Sequence, residues 1–376
     1  MRLSSSTAMR RFLKIAGPIL FGILSALIVA EIGARVLVAR EVIPNRLPSD
    51  LFVSAPIGWT LQPNVDALIP SSQGLTRIQT NSLGFRDTEH SPSSPRSHVL
   101  ILGDSFTAAM ETPQAETFHA MLQQVSGEET EFITMGVSGY EPTQYLLAYK
   151  QYGRQFKPKT VLVMFYAGND MVGNRPHETL PYYSLGHDGT LDLHNFPYKG
   201  RFEIPLIAGG RSTPLMKLSE VAFIAGVFQQ AQGPNQDSTL ANRECDFLAN
   251  ENWPSVTEDD WAITEAILKT LHDEVESDGA DLRVAIIPTK FEVAPEELTA
   301  FEQKCPVPAN HDQPQVEERL ETFFRENGIA SHNLLPDLLA ARQAKGEPIY
   351  IPGIDTHWTP LGHSTTAKAL HAWLGN

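Results

Sequence analysis

Thr160–Tyr166 reads TVLVMFY, a continuous run of β-branched, aromatic and other apolar residues. A strand with one wet face would alternate, so an unbroken run of this kind belongs to a strand buried on both faces. The surrounding sequence supplies matching elements. Val99–Leu102 is a second strand-like run, closed by Gly103, and Phe132–Met135 and Leu282–Ile287 are two more. Between them lie helical patterns: Glu116–Val125, Pro142–Phe156 (with Tyr145, Leu146, Tyr149 and Tyr152 at helical spacing), Val316–Asn327 ended by Gly328, and Pro360–Leu374. Thr257 with Asp260 three residues on predicts an N-cap, followed by the stripe Ile263, Ile267, Leu271, Val275 and a stop at Gly279. Strands alternating with helices imply an α/β fold whose parallel sheet is covered on both faces.

At 376 residues the chain has room for one large domain and accessories. Arg2, Arg10, Arg11 and Lys14 precede an uncharged stretch, Ile15–Ala30, and apolar character resumes over Ile32–Ala39, with Glu31 and Arg35 where charged heads can snorkel. No small-x-small cleavage site follows, so residues 15–39 are expected to be a retained membrane anchor in place of a cleaved signal, behind a cytoplasmic basic leader at residues 1–14. The excess of Lys and Arg before the run predicts an exported body. Residues 40–96, rich in Pro, Ser and Asn, read as a lead-in that lies on the main domain or spaces it from the membrane, and HSPSSPRS (residues 90–97) marks its end. The main domain is then 97–376. Within it, Met171 to about Ser255 breaks the rhythm, with one helix expected across Pro214–Gln229, and reads as an insertion over the sheet's C-terminal edge.

With 29 basic against 44 acidic residues the net charge is −15, which argues against nucleic acid as a partner. The two cysteines, Cys245 and Cys305, lack zinc-ligand spacing and leave both a disulfide and two buried thiols open.

Four short segments fall where strands should end. In Leu102-Gly103-Asp104-Ser105-Phe106-Thr107, Ser105 directly follows a buried strand, at the start of a helix whose dipole favours negative charge; a serine there is by itself more often an N-cap. Gly136-Val137-Ser138-Gly139-Tyr140 follows the next strand, where glycine lets backbone N–H groups approach a ligand or simply makes a tight turn. Gly168-Asn169-Asp170 follows the Thr160–Tyr166 strand; Asn169 there can donate to an oxyanion or serve a turn. In Asp355-Thr356-His357-Trp358-Thr359-Pro360-Leu361-Gly362-His363, a carboxylate two residues before a histidine suits a general base and its orienting acid. A metal reading through Asp355, His357 and His363 lacks a fourth ligand at recognisable spacing.

Taken together, these segments resemble the SGNH hydrolases (the GDSL family), in the family's order, from about Val99 to the C-terminus. Gly103-Asp104-Ser105 resembles the first block, Gly139 the second-block glycine, Gly168-Asn169-Asp170 the third, and Asp355 and His357 with Gly362 the last. Asn81-Ser82-Leu83-Gly84-Phe85-Arg86 resembles a lead-in of membrane-anchored bacterial members. The resemblance implies a three-layer α/β/α sandwich, flavodoxin-like, with a central parallel sheet of about five strands behind one transmembrane helix. It also implies Ser105 as nucleophile, His357 as base, Asp355 as orienting acid, an oxyanion hole of Ser105, Gly139 and Asn169, and no metal or organic cofactor. The family's usual Asp-x-x-His is here Asp-x-His followed by Trp358. That local pattern looks like the alginate O-acetyltransferase branch, in which the Asp-His pair precedes the serine, whereas here it follows.

The expected substrate is an acylated carbohydrate or another ester, with an O-acetyl group on a cell-envelope or secreted glycan as the leading case. A lipase or thioesterase acting on fatty acyl chains is the alternative, because Tyr182, Tyr183, Phe196, Tyr198 and Trp253 in the insertion suit sugar and lipid alike. A glycan-binding or assembly protein with a silent triad is the non-enzymatic alternative.

Overall fold

The structure, a computed structural model, describes residues 5–202, 219–224, 238–309 and 316–375. The chain divides into two units, residues 1–50 with 204–235 and residues 51–203 with 236–376.

In the first unit, Ser5–Ala39 is one helix. Its Lys14–Ala39 portion, 26 residues, is long and apolar enough to cross a membrane; at 1.5 Å per residue it spans about 39 Å against a hydrocarbon core of about 30 Å. Ile19, Leu20, Phe21, Leu24 and Ile28 are all exposed on it. Glu31 pairs with Arg35 at 2.8 Å, and accepts from the Ser219 hydroxyl at 2.8 Å and the Glu220 and Val221 N–H groups at 3.2 and 3.3 Å. Of the helix expected across Pro214–Gln229, residues 220–224 are helical, Ser219 precedes them outside the helix, and the remainder lies outside the described residues.

The second unit begins with two antiparallel hairpins, β1 (Phe52–Ala55) with β2 (Gly58–Leu61) and β3 (Asp66–Ser71) with β4 (Gly74–Gln79). Then follow β5 (Ser97–Gly103), β6 (Thr130–Gly136), β7 (Thr160–Tyr166), a small hairpin of β8 (Tyr182–Leu185) and β9 (Leu191–His194), β10 (Asp281–Ile287) and β11 (Ala330–Asn333). β5, β6, β7, β10 and β11 form an all-parallel sheet in the order β11-β10-β7-β5-β6. Counted along the chain this is the doubly wound order 2-1-3-4-5, whose direction reverses between β5 and β7.

The period of two along each strand divides its side chains between two cores. Leu100, Leu102, Val161, Val163, Phe165, Val284 and Ile286 pack with Tyr145, Leu146 and Tyr149 and with Ile267, Leu271 and Val275 of helix Glu258–Ser277. Val99, Ile101, Leu162, Met164, Tyr166, Ala285 and Ile287 pack on the other face with Phe118 and Leu122, Leu338, and Ala367 and Leu370 of helix Pro360–Leu374. This is the expected three-layer sandwich. The capping box at Thr257 and Asp260 is present, with both reciprocal bonds made.

Three elements differ from the sequence expectation. Residues 51–79, which show little periodicity, hold the four strands of the first two hairpins, and Leu51, Ile57, Trp59, Leu61, Ile69, Ile78 and, just beyond them, Phe85 enter the first core. The short strands conceal the alternation. The helix expected over Pro142–Phe156 is α-helical only to Ala148; Tyr149–Gly153 is a π-helical turn and Arg154–Phe156 a 3-10 turn. The fifth sheet strand, β11, reads ASHN and has no apolar run to announce it. An edge strand has only one neighbour and needs no such run.

Cys245 and Cys305 form a disulfide with their Cα atoms 5.4 Å apart. It ties helix Ser238–Asn252 to the end of helix Pro295–Glu302, among Phe291, Phe301 and Trp253.

Candidate active site

β5 ends at Gly103, and the chain turns at once into the short helix Ser105–Ala108. The Asp104 carboxylate caps that helix, accepting from Phe106 N–H at 2.9 Å. Glycine is required at 103 because a Cβ there would lie 2.1 Å from Thr107 Oγ1, which folds back under the strand end. Ser105 is therefore held at the helix N-terminus, at the point where the sheet order reverses and open α/β sheets bind ligands. Ala109, in the left-handed region at φ 48°, ends the helix, and the chain continues to Glu111.

The last segment comes to the same corner. Asp355 Oδ1 accepts from His357 N–H at 2.9 Å and pairs with His357 Nδ1 at 2.7 Å. The pairing favours a proton on Nδ1, which leaves Nε2 free to accept one. The His357 ring packs against Phe106, next to Ser105, at 5.2 Å between centroids. Trp358, fully buried, packs on the same Phe106 at 4.9 Å and bridges to Tyr350, which closes the loop that carries Asp355. Among the described residues the Ser105 hydroxyl has no hydrogen bond to His357; serine–histidine contacts often close only when substrate is bound.

Burial pushes the Asp355 carboxyl up, but the bond and charge of His357 outweigh it and hold the group at about 2. Burial lowers the His357 imidazolium, yet the charges of Glu111, Asp355 and Asp104 and the bond to Asp355 raise it to about 10. Asp104 is fully buried and is raised by that burial to about 6, offset by Phe106 N–H, the His357 charge and the Asn169 amide. Asp170 is pushed well above the carboxylate range by burial and the Asp104 charge, and is held by the Tyr145 hydroxyl at 2.9 Å and Tyr166 N–H at 2.8 Å.

The oxyanion candidates lie around this corner. Gly139 has φ +80°, a conformation that side chains rarely adopt. Its turn is braced by Trp59 of β2, whose indole N–H donates to Ser138 O at 3.1 Å, and by the Tyr140 hydroxyl, which donates to Trp59 O at 2.7 Å. Asn169 lies close enough to Asp104 to lower its carboxyl, while its own Oδ1 is buried with no hydrogen-bond partner among the described residues. Among the described residues neither Ser105 N–H nor Gly139 N–H has a hydrogen-bond acceptor.

Residues that the motifs did not single out complete the corner. Glu111 lies 3.9 Å from His357 Nδ1. Arg86, the last residue of the Asn81–Arg86 segment, is buried and donates to Ala108 O at 3.0 Å, Thr112 O at 2.7 Å and Ala109 O, pinning the backbone on either side of Glu111. Lys290, fully buried just beyond β10, donates from Nζ to Ile351 O at 2.8 Å, Gly353 O at 2.6 Å and Asp355 O at 3.1 Å. The hairpin tip adds Ser72, which helps to hold the Asp355 carboxyl down. None of these sits in a local pattern; only the NSLGFR segment signalled Arg86. The Asp355, His357 and His363 metal reading does not assemble, because His363 Nδ1 accepts from Phe118 N–H at 3.3 Å and its ring stacks on Phe118. The cluster with mutually close ligand atoms is instead Glu111, Asp355 and His357.

Residues 247–375 match the family of SGNH hydrolase-like domains of the acetyltransferase AlgX type. The matched segment contains Asp355, His357 and Trp358 and excludes Ser105, Gly139 and Asn169. Among curated proteins, a probable alginate O-acetylase AlgJ of Pseudomonas aeruginosa is 35% identical over 115 residues, covering 31% of this chain and 26% of that protein. A second probable alginate O-acetylase AlgJ, of Pseudomonas syringae pv. tomato, is 28% identical over 144 residues, 33% of this chain and 34% of its own length. The match thus spans only about a quarter to a third of these relatives. Among solved structures the acetyl xylan esterase AlAXEase is similar at 12% identity and a TM-score of 0.39, over 74% of this chain and 98% of that one. In its doubly wound sheet and its matched C-terminal third, residues 247–375, the chain is similar to SGNH hydrolase-like proteins of the alginate acetyltransferase branch.

Proposed function

We propose that this protein is a serine esterase or acyltransferase acting on O-acyl groups, acetyl above all, of a cell-envelope or secreted glycan. The observation that carries the reading is the Asp355–His357 pair, bonded at 2.7 Å and packed through the His357 ring on Phe106, the neighbour of Ser105. In the proposed reaction Ser105 Oγ attacks the ester carbonyl while its proton passes to His357 Nε2, and Asp355 stabilises the imidazolium. The oxyanion is received by Ser105 N–H, Gly139 N–H and the Asn169 amide. On collapse the imidazolium returns the proton to the departing alkoxide, leaving an acyl-serine. Water or a sugar hydroxyl then attacks, gives its proton to His357, and releases acid or a new ester as Ser105 regains its hydrogen. The AlgJ relatives, named as probable alginate O-acetylases, support acetyl as the acyl group and a glycan as partner.

The longer-chain alternative needs an apolar place for the acyl chain. A cavity of about 200 Å³ that adjoins the loop carrying Asp355 is lined by Leu248, Phe291, Phe301 and Ile354 but also by Glu244, Glu297 and Lys304, and each CH₂ buried against apolar surface contributes about 0.8 kcal/mol. The chain-length profile on p-nitrophenyl esters therefore discriminates. On the acetyl reading kcat/KM peaks at acetate and declines by butyrate or hexanoate; a steady rise through octanoate reverses the choice. Acetylated oligosaccharide detected by mass spectrometry identifies transfer to sugar, and failure of Ser105 to label with a fluorophosphonate identifies a silent binding protein.

The same reading puts the second unit outside the cytoplasmic membrane, anchored by a single pass through residues 15–39. The apolar helix, the basic residues before it and the Cys245–Cys305 disulfide support it. A C-terminal alkaline phosphatase fusion is expected to be active and a C-terminal green fluorescent protein fusion dark; the opposite pattern places the body in the cytoplasm.

A further inference from the structure

His357 faces two carboxylates through one ring nitrogen. Asp355 Oδ1 lies 2.7 Å from Nδ1 and Glu111 Oε1 3.9 Å from the same atom, and ligand atoms of all three residues lie within 4.8 Å of one another. Glu111 does not reach this position on a loose tether. Arg86 holds the carbonyls of Ala108, Ala109 and Thr112 around it, and the carbonyl of Glu111 itself accepts from Thr76 Oγ1 of β4 at 3.3 Å. The loop that holds it is the direct continuation of the Ser105 helix. A displacement of the nucleophile turn therefore moves Glu111 with it.

We propose that Glu111 is a second carboxylate partner of His357, sharing with Asp355 the orientation and charge stabilisation of the ring. It is a positioning residue, acting through His357, and the proposal rests on the reading of His357 as the base of a serine esterase. The groups facing the ring from the surrounding elements are Asp355 on its own loop, Asp104 at the end of β5, Glu251 on helix Ser238–Asn252, His363 on helix Pro360–Leu374, and Glu111. Burial keeps the His363 imidazolium well below its ordinary range. Asp104 and Glu251 are raised by burial to about 6 and about 7. Of the groups on other elements, the Glu111 charge contributes most to the raised imidazolium.

The consequence is a specific change in pH dependence. In free enzyme at low pH and in the transition state alike, His357 is an imidazolium, so a charge on Glu111 stabilises both and cancels from their difference. Where the ring is neutral in the free enzyme, Glu111 favours only the transition state. Profiles of kcat/KM for p-nitrophenyl acetate against pH should therefore converge on the acid side for the wild type and Glu111→Gln. Above the limb they should separate, with the variant's plateau about tenfold lower and its limb about one pH unit lower, since one unit of pKa is a factor of ten. Glu111→Asp, which keeps the charge, should hold the limb nearer the wild-type position. Superimposable profiles overturn the proposal, as does a loss by the same factor at every pH, which marks a purely structural role. A limb displaced equally in Glu111→Gln and Glu111→Asp overturns it too. Fluorophosphonate labelling of Ser105 in the wild type separates the two levels: if the wild type does not label, the esterase reading itself has failed.

Discussion

Ser105→Ala is expected to lower kcat for ester cleavage by about 10⁴-fold or more while leaving the fold intact. The serine is the first residue of a four-residue helix, and its hydroxyl bonds to nothing among the described residues, so its removal costs no structural hydrogen bond. The cap of the helix is Asp104, which the substitution leaves in place. Stability should therefore stay within about 1 kcal/mol of the wild type. A purified, folded variant that keeps more than a few per cent of the activity removes Ser105 from its role. Ser138, whose hydroxyl instead donates to Met110 Sδ at 3.8 Å, is then the next serine to test.

Lys290→Met is expected to have the second large effect, on stability and turnover together. Nζ is fully buried and gathers the carbonyls of Ile351, Gly353 and Asp355, while Glu297 lies 3.5 Å from it and accepts from Gly353 N–H at 3.3 Å. The ammonium thus closes the bend that presents Asp355 to His357. Methionine fills similar volume but leaves the three carbonyls without the ammonium and Glu297 without its counter-charge. Each buried acceptor left unsatisfied in this way costs about 1–3 kcal/mol. The Asp355 loop would also relax, and a displacement of about 1 Å at a catalytic group costs on the order of 10²-fold in kcat. Urea unfolding and steady-state kinetics well below the unfolding transition test the two parts. A fall in kcat with KM nearly unchanged is the signature of lost positioning; unchanged kcat in a destabilised protein would reduce Lys290 to a purely structural residue.

Much of the architecture was legible along the chain, because it follows from local patterns. The run Thr160–Tyr166 is confined to a doubly covered strand by its own hydrophobicity, and Thr257 with Asp260 starts a helix through bonds made within a single turn. Gly103-Asp104-Ser105 and Asp355-x-His357 are likewise short-range constellations, so the candidate triad could be named before its parts were seen together. The edge strand Ala330–Asn333 was not legible, since pairing on one side with β10 asks for no apolar run. Nor were the hairpins of residues 52–79, whose short strands find their partners in the first core.

Only the tertiary structure decided the surroundings of the candidate triad. Arg86, Glu111 and Lys290 each act on backbone or side chains that belong to other elements, and Lys290 lies more than sixty positions before the last carbonyl it holds. Nothing in the sequence near Glu111 indicates that it will face His357 Nδ1, because that contact exists only once the segment after β5 and the Asp355 loop meet beyond the strand ends. The pairing of Cys245 with Cys305 was decided in the same way: the residues alone left thiols and a disulfide both open, and helix packing brought their Cα atoms to 5.4 Å. A residue type and its spacing determine which chemistry a side chain can perform; the field it works in comes from charges and carbonyls gathered from the whole fold.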